Sequence, residues 1–345
     1  MTTRGKSGTQ RRLSRRDVLI SALAGGTVGA AGLILRGYLQ RKERKTATFI
    51  AKVASYDVDL SSVIEAGLDN LGVGPQELRG KSVLLKPNLI ETAPGTTHIC
   101  TQPQVILGVA EVLLKLGAAK IIVGEGSGNC RETARIAEET GLAEALAENH
   151  ISFVDLNSED FVTRPNAGGY TKLKTLAFPA MLNEVDWIVS VAKMKTHHWA
   201  GVTLSMKNLF GLMPGIVYGW PKNVFHCVGI ERSILDINAT VRPHFAIIDG
   251  IVGMEGDGPL SGTPKHAGTI VMGRNVAAVD ATAARIMQID PLEVPYLREA
   301  SGWLGAIHQE NIIQRGETIA SVQTQFRLLN DIPAHQGLRL KATRR

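Results

Sequence analysis

Ser82-Val83-Leu84-Leu85-Lys86, then Gln102–Leu116, then Lys120-Ile121-Ile122-Val123-Gly124 form the stretch on which the fold turns. The two outer runs are short, continuous and rich in Val, Ile and Leu, the pattern of strands covered on both faces. Between them Val105, Val109, Val112, Leu113 and Leu116 fall on one helical stripe, and Gly117 stands where a helix end takes a left-handed residue. Strand, helix and strand in that order make one βαβ unit with a parallel pair.

Further apolar runs lie at Thr48–Val53, Ile151–Leu156, Trp187–Lys193, Phe245–Asp249 and Thr269–Gly273. Helical periodicity recurs at Ser61–Leu71, Glu132–Glu148, Thr203–Met213, Glu231–Val241 and Val276–Met287. The alternation predicts an α/β fold, a mainly parallel, Rossmann-like sheet covered by helices on both faces. Phe161–Phe178, with Asn166-Ala167-Gly168-Gly169 inside it, reads as a hairpin-like insertion. No repeat or clean linker divides the chain, so residues 46–330 are expected to form one domain, with a leader at 1–45 and a basic tail at 331–345.

Open α/β sheets bind ligands outside the carboxyl ends of their strands, and polar residues collect there in this sequence. The run ending at Leu85 leads into Lys86-Pro87-Asn88, and Ile121-Ile122-Val123 leads into Gly124-Glu125-Gly126-Ser127-Gly128. Trp187-Ile188-Val189 leads to Lys193-Met194-Lys195-Thr196-His197, and Phe245-Ala246-Ile247-Ile248 stops at Asp249. If the strand continues to His197, its period of two sets Lys193, Lys195 and His197 on one face. With Lys86 beside them, and Lys207 and Asn208 from the next helical stretch, they would cradle an anion. A strand-terminal Lys is also often just a solvated end. The segment Gly253–Gly262, four glycines and a proline around Glu255 and Asp257, reads as a loop held close to another part of the chain.

Nine histidines raise the question of a metal. His197 and His198 are neighbours that point to opposite faces of a strand, so they do not readily share an ion. His98, His226 and His266 could converge with Asp249, Glu255 or Asp257, but no fixed ligand spacing is present. His197 and His226 are expected instead to bind or protonate a substrate, with Asp249 or Glu255 orienting a histidine or holding a metal. Lys195, crowded by neighbours, joins them as a catalytic candidate. Cys100, Cys130 and Cys227 are too scattered for a cluster or a zinc site made by this chain alone. They read as unpaired thiols, or as one disulfide with a thiol left over.

The chain has 345 residues and a formal net charge of +6, from 38 Lys or Arg and 32 Asp or Glu. The charge is unevenly placed. Residues 1–45 hold 11 basic side chains against Asp17 and Glu43, and four more crowd positions 339–345. The body between is acidic, which argues against nucleic-acid binding by phosphate neutralisation. Ser14-Arg15-Arg16-Asp17-Val18-Leu19 opens an uncharged segment, Val18 to Leu35, in the manner of a twin-arginine export signal. Val28-Gly29-Ala30 offers a small-residue cleavage site. The alternative is an uncleaved anchor through residues 18–35. Either way the body is expected in the periplasm or cell envelope, after the export machinery has handled it folded, an arrangement often associated with a cofactor.

Lys86-Pro87-Asn88, Val191-Ala192-Lys193-Met194-Lys195-Thr196-His197, Met206-Lys207-Asn208-Leu209-Phe210-Gly211, His226, Ile248-Asp249-Gly250 and Glu255-Gly256-Asp257-Gly258-Pro259-Leu260-Ser261-Gly262, in this order, resemble the family called domain of unknown function 362. The similarity runs from about Lys81 to Leu304. It implies an α/β domain, and many relatives carry appended ferredoxin-type iron–sulfur modules. This chain lacks the clustered cysteines for one. The reading that follows is a metal- or cofactor-assisted enzyme acting on a carboxylate- or phosphate-bearing ligand. In it Lys86, Lys193, Lys195 and Lys207 fix negative charge and Asn88 donates a neutral hydrogen bond. The competing reading is an envelope protein that captures an anion or carries a cofactor without turnover.

Overall fold

The computed structural model describes residues 43–91, 96–128 and 132–340. The twin-arginine motif, the segment 18–35 and Cys130 lie outside them. Among the described residues no helix is long and apolar enough to cross a membrane.

The strands are β1 (Thr46–Lys52), β2 (Ser82–Pro87), β3 (Lys120–Glu125), β4 (Ser152–Asp155), β5 (Phe161–Pro165), β6 (Thr175–Pro179), β7 (Trp187–His197), β8 (Gly201–Thr203), β9 (Phe245–Glu255), β10 (Thr263–Gly273) and β11 (Ile312–Gly316). One nine-stranded sheet runs β11-β1-β10-β9-β7-β2-β3-β4, with β8 paired to β7. The block β9-β7-β2-β3-β4 is parallel throughout, while β10 is antiparallel to both its neighbours. The sheet is therefore mixed and mostly parallel, with helices around it, as the alternating pattern predicts. β5 and β6 pair antiparallel as a separate hairpin, the expected insertion.

β7 shows why its residues make a central strand, since every position from Trp187 to His197 is buried. Alternate side chains feed opposite layers. Trp187, Val189 and Val191 join the layer under the helices Leu60–Asn70 and Pro103–Lys115, whereas Ile188, Ala192 and Met194 join the layer under Ile230–Val241 and Val276–Ile286.

Three segments depart from the sequence expectation. The periodic stretch Thr203–Met213 is not one helix but the end of β8, a turn of α-helix at Ser205–Asn208 and a 3₁₀ turn at Leu209–Leu212. Met213 precedes Pro214 and is extended, which ends the helical path. The stretch Glu132–Glu148 breaks into Thr133–Glu139 and Leu142–Glu148 at Gly141, whose φ of 73° is left-handed. Most of Gly253–Gly262 is a hairpin, because β9 runs on to Glu255 and β10 starts at Thr263. Its turn closes on β7: Thr196 Oγ1 donates to Gly256 O at 2.7 Å and His198 N to Gly258 O at 2.9 Å. A Cβ on Gly258 would overlap Thr196 O, so the expected close approach is to the end of β7.

Residues 331–340 pack on the body, with Ile332, His335 and Leu338 buried and Ile289 bridged to Arg339. At the other end, Glu43 accepts hydrogen bonds from Ser301 Oγ, Ile307 N and Asn311 Nδ2. Burial raises its pKa, but these bonds outweigh that and bring it down to about 2.

Candidate functional site

β2 and β7 are neighbours at which the connections change sides. From β2 the chain reaches β3 and β4 through helices of one core layer, and from β7 it reaches β9 through helices of the other. A crevice at such a switch point is where open α/β sheets take ligands. A cavity of about 220 Å³ opens there, lined by Asn88 after β2, Gly126 after β3, His197 at the end of β7, and by Lys207, Lys222 and His226.

Register decides which lysines reach it. Lys86 lies opposite Ser190, so Lys193, an odd number of residues along β7, projects from the other face of the sheet. Each meets a carboxylate. Lys86 Nζ donates to Glu125 Oε2 at 2.6 Å, and Lys193 Nζ to Asp249 Oδ2 at 2.8 Å, all four side chains being buried. Tyr56 OH completes the second cluster, donating to Asp249 Oδ1 and accepting from Lys193, both at 2.9 Å. The expected row of Lys193, Lys195 and His197 beside Lys86 is thus divided between two faces, and two of its three lysines, Lys86 and Lys193, are neutralised in place.

The remaining cations behave differently. Among the described residues Lys195, Lys207 and Lys222 have no carboxylate within ion-pair distance. Among the described residues Lys195 Nζ reaches only Pro259 O, at 3.4 Å. Lys222 donates to Met213 O and, at 2.7 Å, to Asn157 Oδ1. Lys207 Nζ sits 4.0 Å over the Phe210 ring. Burial lowers the pKa of each to about 7, with neighbouring lysines adding to the fall and Glu125 opposing it.

The two cavity histidines have opposite hydrogen-bonding polarity. His197 Nδ1 accepts from Trp199 N at 3.0 Å and Ala200 N at 3.2 Å, so the neutral ring carries its proton on Nε2. His226 Nε2 lies 3.1 Å from Pro221 O, a pure acceptor, which places the proton on Nε2 and leaves Nδ1 its lone pair. Burial, then the Lys207 charge, lowers both pKa values and keeps the rings neutral at neutral pH. His226 and His198 both stack edge-on against Trp199, at 4.8 and 4.6 Å between ring centres.

Two cavity-wall atoms, Asn88 Oδ1 and Thr203 Oγ1, are buried without a hydrogen-bond partner among the described residues. Asn208 holds the wall together, its Nδ2 donating to Lys86 O at 2.8 Å and Ser190 Oγ at 3.0 Å. Asp249, Glu255 and Asp257 lie outside the cavity lining. Asp249 belongs to Lys193, Glu255 accepts from Arg327 N at 2.9 Å, and Asp257 is 3.1 Å from His198 Nδ1. Among the described residues no three His, Cys, Asp or Glu side chains gather as a metal site requires. Cys100 is a buried thiol and Cys227 an exposed one.

The sequence placed Glu125 at a strand exit and Thr203 in the stretch that carries Lys207 but gave neither a role of its own, and it did not single out Lys222. Glu125 had a signal, since it closes β3 between two glycines. Lys222 had none, because it comes from irregular chain and takes a left-handed φ of 68°.

The family model described as domain of unknown function (DUF362) matches residues 83–285, from β2 to the helix Val276–Ile286, and so spans the whole site. The chain belongs to the DUF362 family. It is 29% identical over 233 residues to a thylakoid-associated protein of Synechocystis sp., a match covering 65% of this chain and 68% of that one. Among solved structures it is similar to the lactate racemase apoprotein from Thermoanaerobacterium thermosaccharolyticum, with 17% identity and a TM-score of 0.42 over 72% of this chain and 58% of that one. A Thermotoga maritima protein gives 15% identity and a TM-score of 0.39 over 66% and 57%. The match thus spans a little over half of each solved structure.

Proposed function

We propose that this DUF362 member is an exported enzyme whose cavity binds a small carboxylate- or phosphate-bearing ligand and moves a proton on it. One observation carries the reading: among the described residues Lys207 has no carboxylate partner, and it shares a cavity wall with two buried polar atoms, Asn88 Oδ1 and Thr203 Oγ1, that find no partner there either. Buried polar groups are normally paired, and leaving them unpaired costs about 1–3 kcal/mol each. Thr203 Oγ1–H can donate to an anionic oxygen, Asn88 Oδ1 can accept from a hydroxyl or protonated phosphate oxygen of the same ligand, and the surrounding lysines select an anion. The volume, below the roughly 300–1,000 Å³ of sites for drug-sized molecules, suits a ligand of few atoms.

The histidines favour catalysis over simple capture. His197 Nε2–H is a neutral donor for an oxygen that gains negative charge, and His226 Nδ1 is an unprotonated base. Inorganic phosphate and small carboxylates should raise the melting temperature, and Lys207→Ala should abolish that rise. Solvent deuterium should enter the C–H next to the carboxylate of a turned-over ligand. Stabilisation without exchange would make the protein a capture module.

Export is the second part of the proposal, supported by Arg15-Arg16 ahead of the uncharged segment 18–35. A relative described as thylakoid-associated is in keeping with a membrane-linked location. Arg15→Lys with Arg16→Lys should hold the precursor in the cytoplasm. A cofactor loaded before export would be recovered by native mass spectrometry with elemental analysis on protein from its own cell.

A further inference from the structure

Five lysines surround the carboxyl edge of β2 and β7, and their surroundings differ. Lys86 and Lys193 are ion-paired, while Lys195 and Lys222 donate to carbonyl or amide oxygens. Among the described residues Lys207 Nζ has no hydrogen-bond acceptor, only the face of Phe210. It is also the most accessible of the five, partly exposed on the cavity wall while the others are fully buried.

The backbone that carries it is fixed on both sides. Asp280, buried in the helix Val276–Ile286, accepts from Ser205 N at 2.7 Å and Met206 N at 2.9 Å, holding the start of the turn. Asn208 ties its end to Lys86 O and Ser190 Oγ. An amine held without an acceptor, beside a donor imidazole and a base imidazole, has the arrangement of a nucleophile rather than a structural cation.

We propose that Lys207 forms an imine with the carbonyl carbon of a small anionic aldehyde or ketone, an inference that rests on the anion-binding reading of the cavity and narrows its substrate class. The neutral Nζ adds to the carbonyl carbon. A C–N bond forms, and the C=O π pair moves to oxygen, which accepts a hydrogen bond from His197 Nε2–H. His226 Nδ1 receives in turn the two protons that Nζ loses and passes both to the departing oxygen, which leaves as water. Amine and carbonyl become imine and water, with no change in oxidation state. In its charged form, which the bound anion favours, Lys222 has a third N–H for the carboxylate or phosphate beyond the two held by Met213 O and Asn157 Oδ1. A pKa of about 7 leaves near half of the Lys207 amine unprotonated at neutral pH. That is roughly a thousandfold more than for an ordinary lysine of pKa about 10.4.

The test is reductive trapping on the full chain at pH 7, with pyruvate as the probe and cyanoborohydride as the reductant. Peptide mapping should find one dominant adduct, on Lys207, that inorganic phosphate suppresses. Lys207→Arg, which keeps the charge, should lose the adduct while phosphate still raises the melting temperature, and Lys207→Met gives a second variant should Arg not fit. Adducts scattered over surface lysines, with phosphate still stabilising, would overturn the imine and leave the anion site standing. A Lys207 adduct that phosphate neither blocks nor competes with would keep the nucleophile and overturn the anion site. Absence of both effects overturns both.

Discussion

Lys86 Nζ lies 2.6 Å from Glu125 Oε2, with the two side chains 0% and 3% exposed. The same carboxylate accepts Leu89 N at 3.0 Å and, through its other oxygen, Gly126 N at 2.8 Å. The pair therefore ties the exit of β2 to the exit of β3, the two loops that form one wall of the cavity. Glu125→Gln should leave a buried ammonium uncompensated and cost about 3–5 kcal/mol, read as a lowered urea midpoint.

Gly211 bounds that pair from above. A Cβ there would overlap Glu125 Oε1 and Lys86 Nζ, so only glycine lets the 3₁₀ turn Leu209–Leu212 approach. Gly211→Ala should cost about 1–3 kcal/mol from overpacking. It should also weaken phosphate binding, because the turn carries the Phe210 ring under Lys207. An unchanged melting temperature in calorimetry would mean that the turn tolerates the displacement.

Lys193 and Lys207 should separate in a mutant pair. Lys193→Ala strips the partner from a fully buried Asp249 and is expected to cost about 3–5 kcal/mol. Lys207 has no such partner among the described residues, so Lys207→Ala should change the unliganded melting temperature little and remove its response to phosphate. Equal effects on fold and ligand from both variants would contradict the division of the lysines between the two faces.

That division shows what the sequence could and could not convey. The parallel block was legible because β2, β3 and β7 carry continuous apolar runs and the helix Pro103–Lys115 carries a stripe, both patterns being local. Asn88 and His197 were legible as polar groups at strand exits, Lys207 as a cation of the following helical stretch and His226 as a histidine able to bind or protonate a substrate, and the four do share one cavity. The partners Glu125 and Asp249 could not be assigned, since the pairing register that sets Lys86 against Ser190 is a property of neighbouring strands. β11 was missed because it is an edge strand with Gln314 and Arg315 in a run of five residues. The helix expected over Thr203–Met213 starts late for a tertiary reason, since Asp280 captures Ser205 N and Met206 N, and stops for a local one, Pro214, which the sequence did carry.

His197→Asn tests the donor assignment. Asn can offer a side-chain oxygen to Trp199 N and Ala200 N, as Nδ1 does, but it lacks the Nε2–H. Fold stability should be largely kept and turnover lost. His197→Phe should be less stable, since the buried Ala200 N–H loses its acceptor, at about 1–3 kcal/mol, along with the part-buried Trp199 N–H. Nitrogen NMR of the imidazole should report the Nε2–H tautomer in the wild type; the Nδ1–H form would overturn the role.

The pH dependence of stability and of anion affinity should run in opposite directions. Burial lowers the pKa of Lys195, Lys207 and Lys222 to about 7, whereas in the unfolded chain they titrate near 10.5. Between these limits the unfolded state binds more protons, so these groups make the unliganded protein more stable as pH rises from about 7 to 10.5. Phosphate needs the charged forms, so its affinity should fall as pH climbs through about 7. Ordinary surface lysines would hold it to near pH 10. Calorimetric titration with phosphate at pH 6 and pH 9 measures the second trend and thermal unfolding without ligand the first. Affinity that stays level to pH 9 would mean that the lysines on the cavity wall are not depressed, and the neutral amine required at Lys207 would be lost with it.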